Sequence, residues 1–492
     1  METVLRKLYL AAALVVATLG SIRAQTDEWT PPHRMLLTPE RALAMLTAFD
    51  RQLDYVPGEV LVQFRSGVSA SGQQRALMSL RSKPAASDLH WVGDVAVVSD
   101  PTEPDATRLA AALRTQPEVE YAEPNYLYRT SATPNDPGFA ARQWNFAALD
   151  MPRAWDINPG GNDTVTVAVV DTGITSVGRS YSFQTWNGRA IQSVSVPFAV
   201  NPDVKTTRIV NARDLVFWDG PVLDMEGHGT HVASTIGEET NNSLADAGIA
   251  YRVKLMPVKV CLGFWDFQFV MSASGYRGFM PPGIGGCPTD AIAEGIRYAA
   301  DMGAKVINLS LGGPAPSTVL RDALAYAVGK GVFIAIAMGN EFEDGNPIDY
   351  PAAYAPEING AMSVGALGRS LKRSFYSNTG AHLEISAPGG DDRDGGASGM
   401  IWQSTIAQAD SAPLFVIAPR FDRYAESAFE GTSMATPHVA GVAALLISQG
   451  ITSPSAVEAV IKRTARPLGP PEEFGAGLVQ PRSALLGVGV GK

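Results

Sequence analysis

Continuous apolar runs, rather than alternating ones, recur along the chain beyond residue 160. TVTVAVV (164–170), AYRVKLMPVKV (250–260), AKVINLSL (304–311), GVFIAIAM (331–338) and NGAMSVGAL (359–367) each read as a strand with both faces buried. Between them lie segments with apolar residues at helical spacing, including TDAIAEGIRYAADMG (289–303) and STVLRDALAYAVGKG (317–331). Strands of this kind alternating with helices require a mostly parallel sheet with a helical layer on each face. The pattern therefore predicts one large three-layer α/β domain spanning residues 133–492.

The N-terminal part is patterned differently. EVLVQFR (59–65) and DVAVVS (94–99) read as short strands, DATRLAAALRTQ (105–116) as a helix, and EVEYAEPNYLYR (118–129) as extended chain. Together they predict a small α+β unit over residues 58–130, followed by an exposed connector, TSATPNDPGFAARQWNF (130–146), rich in turn formers. Residues 25–57 hold Pro31, Pro32 and a short helical pattern, LTPERALAMLTAFD, to which no chemistry can be assigned. The first 24 residues have a basic start at Arg6 and Lys7, an apolar stretch from Leu8 to Gly20, and the small Ala24 before Gln25. That is the layout of a signal peptide, and its apolar stretch is shorter than the ~20 residues a membrane span needs. The expectation is a mature chain with no membrane span, secreted to the periplasm or the medium.

Composition narrows the classes. A chain with 46% apolar and 18% charged residues is globular, and a formal charge of -10 leaves no basic field for a nucleic-acid partner. The two cysteines, Cys261 and Cys287, lie in one Gly- and Pro-rich stretch. Export to an oxidising compartment favours a disulfide between them over two free buried thiols.

Three places could carry chemistry. VAVVDTGI runs a strand straight into Asp171, which is either a turn-forming acid or a group presented at the carboxyl edge of the sheet. DMEGHGTHVAS offers His228 and His231 three residues apart, without the spacing or the third ligand of a zinc site. Glycines flank His228 while His231 leads into an apolar run, so one imidazole reads as presented and the other as packed. In FEGTSMATPHVAGVAALL, Ser433 stands among small residues where a helix begins, with Pro437 suited to its first turn. Alone, Ser433 reads as a helix cap. With Asp171 and His228 it completes an acid, base and nucleophile set. The order Asp, His, Ser and the string G-T-S-M-A differ from the α/β-hydrolase pattern, which weakens an esterase reading.

These three strings, in this order, resemble the signatures of subtilisin-like serine proteases, over the chain from about Pro134 to its end. The resemblance implies a subtilisin-like fold and peptide hydrolysis through an acyl-enzyme, with Asp171 orienting His228, His228 as general base and acid, and Ser433 as nucleophile. It places Asn340 of GVFIAIAMGNEF in the oxyanion hole, with Met338 where the family keeps a small residue. INLSLGG matches the substrate-binding strand through Ser310, Leu311 and Gly312. Asp349 of IDYPAAY falls near the floor of the primary specificity pocket and Glu341 at its rim, which would favour Lys or Arg before the scissile bond; a solvated loop acid is the alternative for Asp349. Residues 58–130 resemble the family's propeptide, a chaperone and inhibitor in cis, with self-cleavage expected between Arg129 and Pro134. No cofactor is needed for the chemistry. Structural calcium is common in the family, but the spacing, including that of the acidic GGDDRDGG (389–396), identifies no site. The expected partners are protein or peptide substrates and the chain's own propeptide, acting on a monomer. The readings this must displace are a catalytically inactive relative used for binding and a secreted esterase.

Overall fold

The computed structural model describes residues 38–51, 53–127, 133–412 and 418–489. The expected signal segment, residues 25–37, and positions 129–132 of the expected cleavage stretch lie outside the described residues. The chain divides between residues 128 and 129 into two compact units.

In the first unit an antiparallel sheet has the order β2-β3-β1-β4, formed by β1 (Tyr55–Phe64), β2 (His90–Val92), β3 (Val95–Ser99) and β4 (Val119–Tyr126). Val60, Val62 and Phe64 alternate inward from β1 and meet Leu109 and Leu113 of the helix Ala106–Arg114 in one core. Asp105 starts that helix, its carboxylate accepting from the backbone N–H of Thr107 and of Arg108. β1 begins three residues ahead of the expected unit boundary, and the helix Pro39–Asp50 packs against it.

The second unit is built on a seven-stranded sheet with the order β13-β12-β11-β10-β5-β9-β8. Its strands are β5 (Thr166–Asp171), β8 (Arg213–Asp214), β9 (Lys254–Lys259), β10 (Val306–Leu309), β11 (Phe333–Ala337), β12 (Ala361–Leu367) and β13 (Ile385–Pro388), and each neighbouring pair runs parallel. The continuous apolarity of the strands follows from burial on both faces. Val167 and Val169 of β5 enter one core with the helices His228–Gly237 and Thr432–Ser448, whereas Ala168 and Val170 enter the other with the helices Thr289–Asp301 and Thr318–Gly329. The three-layer α/β expectation holds.

Two hairpins have no counterpart in the sequence reading: β6 (Ser180–Trp186) with β7 (Ile191–Pro197), and β14 (Ile401–Ile406) with β15 (Tyr424–Phe429). Both join an aromatic cluster that includes Phe183, Phe198, Trp265, Phe269 and Phe421. Their strands are short and half polar, because only one face of each finds a core.

Cys261 and Cys287 form a disulfide across a sequence separation of 26. It closes a segment that contains the helix Phe264–Ala273. Chain-entropy arguments give such a loop about 3 to 4 kcal/mol. Replacing both cysteines with Ser is expected to lower the unfolding free energy by about that amount, measured by denaturant melts. A midpoint equal to the parent's would show that the closed loop contributes nothing.

Candidate active site

The parallel strands deliver the expected residues to one edge. Asp171 ends β5 and is 1% exposed; its Oδ1 accepts from the backbone N–H of Thr172 at 2.7 Å. The same oxygen lies 2.7 Å from Nδ1 of His228, and since a carboxylate only accepts, Nδ1 carries the proton. His228 opens the helix His228–Gly237 directly after Gly227, whose φ of 96° suits glycine. Gly229 is needed for approach: a Cβ there would meet the Gly173 carbonyl oxygen at 2.4 Å. Asp224 fastens this turn, accepting from the backbone of Glu226, Gly227 and Thr230 and from the hydroxyls of Thr172 and Thr230.

The two imidazoles of the motif separate as read. The His228 side chain keeps 26% exposure, whereas His231 is fully buried, stacks on Phe429, and faces the carbonyls of Ile401 and Ser427. Burial works against charge on His228, but the carboxylate of Asp171, with Glu226 and Asp224 beyond it, overrides this and raises its pKa to about 9. Burial lowers His231 to about 3 and His438 to about 4.

Ser433 is not the helix cap. The helix Thr432–Ser448 starts one residue earlier, behind Gly431 with no side-chain cap, so Pro437 lies inside it rather than in its first turn. Pro437 has no N–H for the carbonyl four residues back, which belongs to Ser433. That carbonyl instead accepts from Ser310 Oγ at 2.8 Å, and Ser433 Oγ donates to the Ser310 carbonyl at 3.2 Å. The reciprocal pair fixes the start of the helix to the chain that follows β10.

Asn340 turns its Oδ1 inward, accepting from the backbone N–H and hydroxyl of Thr432 at 2.8 and 2.9 Å. Its amide nitrogen is thereby left on the side of Ser433: a Cβ built on Gly431 would stand 3.7 Å from Asn340 Nδ2 and 3.7 Å from Ser433 Cβ. Met338 is buried in the second core, two residues away on the far side of Gly339.

A cleft of about 540 Å³ runs past Asp171, Glu226 and His228, along Phe264 and Trp265, and over Ser310–Gly312. Asp349 lies beneath Gly312, where a Cβ would meet its Oδ1 at 1.9 Å. Asp349 is 6% exposed and that oxygen has no hydrogen-bond partner. Burial, then the nearby charge of Glu341, pushes its pKa up to about 7. Glu341 accepts from the backbone N–H of Asn340 and from Asn378 Nδ2.

Two acidic groups bear on metal binding. Asp391, Asp392 and Glu430 bring ligand atoms within 4.8 Å of one another, but Asp391 and Glu430 already accept backbone N–H groups. Separately, Asp203, Glu238 and Asp246 are fully buried and leave carboxylate oxygens without partners. Sequence reading missed these three acids, and also Thr172, Asp224 and Thr432. Asp224, Thr172 and Thr432 each stand inside a quoted motif; Asp203, Glu238 and Asp246 carry no local signal.

The charge state of the pair is testable. In NMR titration His228 should stay protonated until about pH 9, and His231 and His438 should stay neutral from pH 5 upward. The raised His228 value contributes stability that is fully present below its unfolded value near 6.5 and lost as pH rises through about 9. A His228 midpoint near 6.5 would mean that the Asp171 contact does not bias its charge.

Comparison with known proteins agrees with the geometry. The subtilase family (peptidase S8) matches residues 162–477, and the fervidolysin-type N-terminal prodomain matches residues 46–125. A thermophilic serine proteinase of Bacillus sp. (strain AK1) is 33% identical over 397 residues, covering 80% of this chain and 79% of that one. Thermitase of Thermoactinomyces vulgaris is 33% identical over 339 residues, 68% of this chain and 91% of its own. A solved protease of Pseudoalteromonas arctica PAMC 21717 superposes with a TM-score of 0.53 at 26% identity, covering 72% of this chain and 99% of the other. The chain thus belongs to the subtilase family and is a serine endopeptidase that carries an N-terminal prodomain.

Proposed function

We propose that this endopeptidase works through Asp171, His228 and Ser433 and is exported as a self-processing zymogen. The observation that carries the reading is the 2.7 Å bond from His228 Nδ1 to buried Asp171, facing a cleft whose Ser310 is bonded both ways to Ser433. Nδ1–H is held by Asp171, so Nε2 of the neutral ring is the basic nitrogen. The Ser433 hydroxyl, parked on the Ser310 carbonyl, rotates about its Cα–Cβ bond, gives its proton to Nε2 and attacks the peptide carbonyl. Asn340 Nδ2 and the helix-start N–H groups receive the oxyanion; in subtilisin itself, losing the side-chain donor costs about 10²–10³ in turnover. His228 then passes its proton to the leaving amine, and water repeats the sequence in reverse. Residues 58–130 serve as the propeptide, chaperone and inhibitor, and cleavage between Arg129 and Pro134 releases the enzyme.

Because general base catalysis needs neutral His228, kcat/KM should rise with pH towards a midpoint near 9. Ser433→Ala should abolish both labelling by a serine-directed fluorophosphonate and maturation of the expressed precursor. A wild-type chain that resists the label would favour the inactive binding relative. Ester turnover far exceeding peptide turnover would favour the esterase.

Asp349 under Gly312, with Glu341 at the rim, forms an acidic floor to the first pocket, so Lys or Arg is preferred before the scissile bond. A substrate cation would pair the orphaned Asp349 oxygen. Asp349 is neutral below about pH 7, so the preference for Arg over Phe should grow as pH rises through that value and vanish in Asp349→Ser. Faster cleavage after Phe at pH 9 would rule the acidic pocket out.

Structural calcium fits the buried acids. Asp203 is pushed up to about 7 and Asp246 to about 6, in both cases by burial first, and they and Glu238 leave oxygens unpaired. Asp203 and Asp246 would hold the ion, which adds positive charge to that of Arg142, already paired with Asp246 at 3.1 Å. A chelator should lower the melting temperature of the wild type and leave that of Asp203→Asn unchanged. No response in either would remove the ion from the account.

A further inference from the structure

Lys259 is fully buried at the end of β9, in register with Asp171 on β5. Its ammonium makes its short bond not to a carboxylate but to the backbone carbonyl of Thr172, at 2.8 Å; Asp266 lies farther, with Oδ1 at 3.3 Å and Oδ2 at 3.4 Å. Asp214 and Asp224 add negative charge around it. Asp266 belongs to the disulfide-closed segment, in the helix Phe264–Ala273, and also accepts from the Gly263 N–H that begins this helix.

Thr172 is the residue through which this charge reaches the site. Its N–H donates to Asp171 Oδ1, its hydroxyl donates to Asp224 and accepts from the Gly229 N–H, and its carbonyl accepts a hydrogen bond from the Lys259 ammonium. Gly173 follows with φ of 113°, a joint that offers little resistance to rotation of that carbonyl. Without Lys259, nothing else that the structure gives the Thr172 carbonyl would hold it among the described residues. The first residue of the closed segment is tied to the same place, since Cys261 N–H donates to the Asp171 carbonyl.

We propose that Lys259 and Asp266 form a positioning device for catalysis: Asp266, anchored in the disulfide-closed segment, holds the Lys259 ammonium on the Thr172 carbonyl, which in turn aims Asp171 at His228. This rests on the assignment of Asp171 and His228 as a working pair. Neither residue touches substrate, and both act through Thr172. The closed segment thereby has a second role beside lining the cleft, because it carries the counter-ion of the lysine that steadies the acid.

The test uses the mature enzyme with Lys259→Met, Asp266→Asn and the double variant. Misplacing a reacting group by about 1 Å costs on the order of 10²-fold, so Lys259→Met should lose kcat by about that factor with KM within twofold. Asp266→Asn, which keeps a group for the Gly263 N–H, should lose less, and the double variant should be no worse than Lys259→Met, as expected for two groups acting as one unit. The low-field NMR signal of the His228 Nδ1 proton should broaden or move in each variant. Folded variants with parental kcat and an unchanged Nδ1 signal, differing only in melting temperature, would overturn the proposal. If Lys259→Met does not fold, Asp266→Asn alone decides by the same readouts. A wild type inert to fluorophosphonate would instead overturn the Asp171–His228 assignment, a separate failure.

Discussion

The site hangs on one bond, from His228 Nδ1 to a carboxylate held at the end of a strand buried on both faces. A parallel sheet covered by helices leaves its functional groups no exit except the carboxyl edge, and β5 stops there with Asp171. In that dry position the carboxylate accepts from the Thr172 N–H and the imidazole N–H, and the lysine one strand away donates to the Thr172 carbonyl. The attraction of Asp171 raises the His228 pKa to about 9, so the contact that orients the imidazole also biases its charge.

Glycine and proline shape the rest by what they lack. Gly229 lets the His228 helix touch the turn after β5, and Gly312 lets the Asp349 carboxylate lie under the segment after β10. Pro437, having no N–H, frees the Ser433 carbonyl for Ser310, so an irregularity inside a buried helix ties that helix to the segment after β10. The same local logic accounts for Asn340, whose oxygen is occupied by Thr432 and whose nitrogen is thereby the end left to face Ser433.

Buried charge is arranged with different degrees of completeness. Lys259 is surrounded by acceptors, whereas Asp349 and the acids at 203, 238 and 246 keep oxygens with no partner. A buried carboxylate oxygen without a partner favours protonation or a cation, whereas the buried Asp391 of GGDDRDGG already accepts backbone N–H groups on both oxygens. The prodomain family match begins at residue 46, inside the helix Pro39–Asp50, which packs on β1.

The sequence by itself determined the layered architecture, because uninterrupted apolar strands have no stable home except a sheet covered on both faces, and it singled out Asp171, His228 and Ser433, because three long motifs surround them. It also separated His228 from His231, through the glycines beside one and the apolar run after the other. Tertiary structure decided what depends on partners distant along the chain. Ser433 read as a cap until Gly431 took the cap position and Ser310, 123 residues away, took its hydroxyl. Pro437 moved from the first turn to the helix interior for the same reason. Nothing in the sequence ties Lys259 and Asp266 to Thr172, since the three meet only where β5, β9 and a disulfide-closed helix converge on one carbonyl oxygen.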